Sequence, residues 1–97
     1  MKKTILIGFL MVTSSIARAD ANADFGEALH SITSAPKRAF EIGKSLDQLG
    51  DCRGNYILAQ LYQYGEYAKG NPLKEDLAKT RELYIKSATA GCGISAN

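Results

Sequence analysis

The feature that most limits what this chain can fold into stands at its start. Met1, Lys2 and Lys3 give a short positive beginning, Thr4 to Val12 form an apolar run, and small and polar residues lead on to Ala17-Arg18-Ala19. The run is well short of the ~20 residues that a membrane-spanning helix needs. A positive start, a short apolar stretch and an A-x-A triplet together form the pattern of a cleavable secretory signal. The triplet recurs as Ala19-Asp20-Ala21 and Ala21-Asn22-Ala23, so the reading is a leader over 1–23, with cleavage after Ala19 as the alternative. No cysteine stands at the end of the apolar run, which argues against a lipid-anchored product.

Removing the leader leaves 74 to 78 of the 97 residues to fold, enough for one small domain. At that size the burial of apolar surface barely offsets chain entropy, and a further constraint is expected. Cys52 and Cys92 are the only cysteines, and both lie in the mature part. An even count in an exported chain reads as a disulfide, with two free thiols as the alternative. Closing a loop of about 41 residues contributes roughly 4 kcal/mol by the chain-entropy argument. A metal site is poorly supported, because His30 is the only histidine and two thiolates do not fill a tetrahedral zinc shell. No metal or cofactor is expected.

The leader also accounts for the charge. It holds three of the twelve basic residues, Lys2, Lys3 and Arg18; with Asp20 removed as well, nine basic and nine acidic residues remain. The basic pI near 8.6 therefore belongs to the precursor and is no footprint for nucleic acid. With no basic stripe and no second apolar span, a soluble exported product, periplasmic or secreted, is expected, with no membrane insertion after cleavage.

Apolar periodicity in the mature part is helical, with no alternating strand pattern, so the fold class is all-α with about three to four helices. A weak first helix is expected over Phe25 to Thr33, with Phe25, Ala28, Leu29 and Ile32 on one side. Ser34 and Pro36 read as the cap and first turn of a second, carrying Ala39, Ile42, Leu46 and Leu49 and ending at Gly50. After a loop over Gly50 to Gly54, a third is expected over Asn55 to Tyr64, with Ile57, Leu58, Leu61 and Tyr62 inward and Gly65 as its stop. Asn71-Pro72 starts a fourth, with Glu75 and Asp76 at its positive end and Leu73, Leu77, Thr80, Tyr84, Ser87 and Ala88 inward, closed by Gly91. The short connection makes the last two an antiparallel hairpin, which brings Cys52 and Cys92 together at its open end.

Within Gly54 to Gly91, the small residue Gly54, the core Leu58-Ala59-Gln60-Leu61-Tyr62, then Gly65, Asp76, Lys79-Thr80, Tyr84 and Ser87-Ala88-Thr89-Ala90-Gly91 follow one another in a recognisable order. These residues resemble a Sel1-like repeat, the α/α relative of the tetratricopeptide repeat, and the full repeat would span about 54–91 of a domain at 24–97. Three departures fall around the core and the turn: Tyr67 replaces the second turn glycine, the connection is longer around Lys69 to Leu73, and Ala59 replaces the core glycine. Cys52 and Cys92 are similar in position to the staple in the exported, cysteine-rich branch of that family. The resemblance implies a repeat that cannot bury its apolar face alone.

No catalytic constellation stands out. His30 lies in the weakest helix without an identifiable partner, and Glu75 and Asp76 are explained by their place at a helix start. All five tyrosines fall inside the repeat; Tyr62 and Tyr84 occupy core positions, while Tyr56, Tyr64 and Tyr67 lie off the stripe or in the turn and are the candidate interaction surface. Partial burial within the hairpin is the alternative for those three. The expected function is a protein- or peptide-binding module, with self-association left open. Two alternatives stand beside it: a cell-envelope enzyme or β-lactam-binding protein, as the resemblance to the cysteine-rich branch implies, and a truncated remnant of a longer repeat array. Ile85-Lys86-Ser87 and Gly43-Lys44-Ser45 carry the residue types of a Ser-x-x-Lys nucleophile motif but not its order.

Overall fold

The structure, a computed structural model, describes residues 21–92. Residues 1–20, most of the leader expected over 1–23, and the tail at 93–97 lie outside the described residues. Four α-helices and no strand occur among the described residues: α1 at 21–31, α2 at Pro36–Gln48, α3 at Cys52–Tyr64 and α4 at Leu77–Thr89, with a short 3-10 turn at Gly65–Tyr67. The all-α class with a Cys52–Cys92 disulfide holds. No described helix is long and apolar enough to cross a membrane.

Local signals set most of the helix ends, though not always through the expected residue. Pro36 takes the first turn of α2, where its missing N–H costs nothing, but the cap position is Ala35, without a side-chain bond. Ser34 instead donates from Oγ to the carbonyl of His30, closing off α1. The third helix begins three residues earlier than its apolar stripe suggests, because Asp51 caps it by accepting from the N–H of Arg53. Cys52 is therefore the first residue of α3 and not part of a preceding loop. The fourth begins later than Asn71-Pro72 implies: Asp76 is its cap, accepting from the N–H of Lys79.

The core joins three helices. Ala21, Ala28 and Ile32 from α1 and the residue just past its end meet Ala39, Ile42 and Leu46 of α2 and Ile57 and Leu61 of α3, with Phe25, Phe40, Tyr56, Leu58 and Leu73 packed around them. The middle of this assembly is α3, packed against α2 on one side and α4 on the other. Gly43 and Asp47 of α2 lie against Gly54 of α3, and Gly43 also meets Ile57 and Leu58, so these two helices run antiparallel.

Three apolar assignments need correction. Leu29 and Leu49, expected inside, are 39% and 53% exposed; the first turns off the face that Ala28 and Ile32 bury, and the second is the residue that ends α2. Leu77, placed on the inner face of α4, is 64% exposed, and the buried set is Thr80, Leu83 and Ser87. Leu83 shares a face with Thr80 and Ser87 at spacings of three and four, and with α4 starting only after Asp76 its first residue, Leu77, is left exposed.

Candidate functional site

The two ends of the α3–α4 hairpin are built differently. At the open end Cys52 and Cys92 are bonded, their Cα atoms 5.9 Å apart. Beside them the buried hydroxyl of Ser87 donates to the carbonyl of Cys52 at 2.7 Å, joining α4 to the first turn of α3 a second time. Arg53 organises the same end. Its guanidinium donates to both carboxylate oxygens of Asp51 and, from Nη1, to Oδ1 of Asn22 at 2.7 Å, while lying 5.3 Å from the centre of the Phe25 ring. Hydrogen bonding from Arg53 holds the Asp51 carboxyl below its ordinary range, against an opposing push from burial. The Asp51 carboxylate and the two sulfurs lie within 4.8 Å of one another, but sulfurs bonded to each other are not thiolate ligands. This end is a structural junction.

At the closed end the chain makes a pinned turn. Gly65 ends α3 with φ of +51°, and a Cβ there would stand 2.5 Å from the N of Glu75 and 2.7 Å from its Cα, so glycine is required on both counts. Asn71 then clamps the loop: Nδ2 donates to the carbonyls of Leu61 and Gly65 at 2.8 and 3.0 Å, and Oδ1 accepts from the N–H of Leu73 at 3.0 Å. The N–H of Asp76 donates to the carbonyl of Tyr62, fixing the start of α4 beside the end of α3. Ala68, 1% exposed, anchors the segment from below.

That scaffold holds Tyr67 out at 86% exposure on the 3-10 turn. Two adjoining clefts flank it. One, of about 640 Å³, is lined by Glu66, Tyr67, Lys74 and Glu75; the other by Gln60, Gln63, Tyr64, Tyr67, Glu75 and Leu77. Tyr64 is 40% exposed and stands in the second cleft with the exposed Leu77.

The three expected interface tyrosines therefore divide. Tyr64 and Tyr67 share one concave surface, and Tyr56 does not belong to it. The Tyr56 ring packs edge-on to Phe25 at 6.1 Å and tilted against Tyr84 at 5.5 Å, and its hydroxyl accepts from Gln60 Nε2. For Tyr56 the alternative reading, packing within the fold, describes its position. Tyr84, also partly buried, has its phenol pushed up, first by desolvation and then by the neighbouring Tyr56. His30 is exposed on α1.

Glu66, Glu75 and Leu77 escaped the sequence reading as cleft residues. Glu75 reads as a helix-start charge and Leu77 as core, and only the fold of the long connection brings them beside Tyr67. The signal in the sequence is Asn71-Pro72, which has the form of a helix start, whereas the Asn71 side chain is the loop clamp. Asn71→Ala is expected to cost about 1–3 kcal/mol, since two carbonyls and one N–H lose their partner. A urea melt measures it, and amide exchange over 65–76 should quicken relative to α2; an unchanged melt with unchanged exchange would remove the clamp.

No family model, curated protein or solved structure matches this chain.

Proposed function

We propose that this is an exported binding module that holds a segment of another protein or a peptide in the cleft around Tyr67, with no chemistry of its own. The observation that carries the reading is the pairing of a fully presented tyrosine with a backbone fixed by Asn71 and Gly65. A large aromatic ring on a preorganised turn contributes contact area without a backbone ordering cost, leaving only that of its own side chain. Tyr64 and Leu77 extend the apolar surface, and Glu66 and Glu75 outnumber Lys74 along the cleft wall. That balance suits a segment bearing an apolar side chain next to a basic one.

The α3–α4 hairpin with its staple is also consistent with a single Sel1-like unit, and the longer connection of this chain is what forms the cleft. Export to an oxidising compartment, which the disulfide and the leader both favour, supplies the setting.

The test is capture in the exported fraction through a photo-reactive residue at position 74, in the otherwise unaltered chain and in the Tyr64→Ala/Tyr67→Ala variant. The variant should keep its helical circular dichroism and lose at least tenfold in capture of the same partner, about 1.4 kcal/mol. Capture unchanged in a folded variant would remove the tyrosines from the interface. No partner, alongside hydrolysis of a reporter β-lactam by the oxidised protein, would replace the reading with the enzyme alternative.

A further inference from the structure

We infer that the exported chain is cut after Ala19 and begins at Asp20, the last triplet, Ala21-Asn22-Ala23, being part of the folded domain. This rests on reading the N-terminus as a leader, and the structure bears on where such a leader must end.

The sequence offers three cuts, after Ala19, Ala21 or Ala23. The later two remove Ala21, and the last removes Asn22 as well. Neither residue is spare. Ala21 is 4% exposed and belongs to the same core cluster as Ile32, Ile42 and Leu46. Asn22 supplies the acceptor for Nη1 of Arg53, whose other nitrogens are taken by Asp51 and whose plane lies by Phe25. Without Asn22, one arm of a guanidinium whose side chain is 25% exposed loses its protein partner beside the disulfide.

Helix length points the same way. The described helix covers 21–31, and a chain starting at Asp24 would keep eight of those residues. Short helices gain little from propagation and depend on tertiary contacts, which here include the residues that would be lost. A cut after Ala19 keeps the whole described helix. The triplet ending at Ala19 is also the nearest to the apolar run. One consequence concerns charge: retaining Asp20 gives the mature chain ten acidic and nine basic residues, a net charge of −1 in place of neutrality.

Intact-mass measurement of the full-length gene product recovered from the exported fraction decides the matter. The expected mass is that of 20–97 less two hydrogens for the disulfide. A product beginning at Asn22 or Asp24 overturns the inference while leaving the leader intact, whereas an uncleaved chain of 97 residues overturns both. Substitutions in the full chain add a second arm. Ala17→Leu, which spoils only the first triplet, should abolish the product that begins at Asp20, and Ala23→Leu should leave the start at Asp20. Ala21→Glu should lower the melting temperature of the processed product by roughly 5 °C or more, while Ala23→Glu at an exposed position leaves it within about 1 °C. Equal melting of those two variants would place residue 21 outside the mature fold and overturn the inference.

Discussion

Replacing both Cys52 and Cys92 with serine, or reducing the bond, is expected to lower the stability of the fold by about 4 kcal/mol. A domain of this size has a total stability on the order of 4–11 kcal/mol, so the loss takes away a third of it at least and brings the fold to the edge of unfolding. The position of the bond explains why the entropic contribution is realised. It joins the first residue of α3 to a residue just beyond α4, at the open end of a hairpin whose other end is already closed by the Asn71 loop. The helix it secures stands outside the main core: that core draws on α1, α2 and α3, while α4 buries Thr80, Leu83 and Ser87, one large apolar side chain among them. Amide exchange in the serine double variant should therefore rise first and most in α4, with α2 and α3 following at the global rate. The measurement is a urea melt of oxidised protein beside the double variant. A difference below about 1 kcal/mol would mean that Ser87 and Leu83 hold α4 on their own.

The architecture was legible because helical periodicity, stop residues and cysteine placement act locally or through simple topology. The all-α class, the hairpin and the pairing of Cys52 with Cys92 follow from such signals. What was not legible depended on contacts between distant segments. Leu77 and Leu83 compete for the inner face of α4, and the spacing of Leu73, Leu77, Thr80, Tyr84 and Ser87 favours the wrong one, since it assumes that the helix already runs through residue 73. Leu73 does pack on the core, but from the loop. Tyr56 looks free along its own helix and is covered only when α1 brings Phe25 across and α4 brings Tyr84. Tyr64 and Tyr67 could be named from the sequence, whereas Glu75, two residues before α4 and eight residues from Tyr67, could not. The cleft is a product of the loop that Asn71 closes.

Gly54→Ala is expected to cost about 2 kcal/mol or more, against the direction of helix propensity, which favours alanine by about 1 kcal/mol inside a helix. Gly54 lies in the first turn of α3, where that helix makes its closest approach to α2. A Cβ on it would press on the backbone N of Asp47 and would stand 2.7 Å from the carbonyl oxygen of Gly43 and 2.9 Å from the Cα of Asp47. All three are backbone atoms of a packed helix, so no side chain can rotate away, and the strain is relieved only if α2 moves outward as a unit. Gly43→Ala is the matched control. Its Cβ would meet Ile57 Cγ2 at 3.1 Å and Leu58 Cδ2 at 3.2 Å, side-chain carbons and not backbone, which need give by only a few tenths of an ångström, and its expected cost is below about 1.5 kcal/mol. Paired denaturant melts separate the two, and a Gly54→Ala protein as stable as the parent would disprove the close α2–α3 contact. The damage should also be directional. Moving α2 disturbs the core it shares with α1 and α3 and the junction at Arg53, yet the Asn71 clamp and the Tyr67 turn lie at the far end of α3. The folded fraction of the variant should therefore retain whatever the cleft binds, with apparent affinity falling only in proportion to the population unfolded.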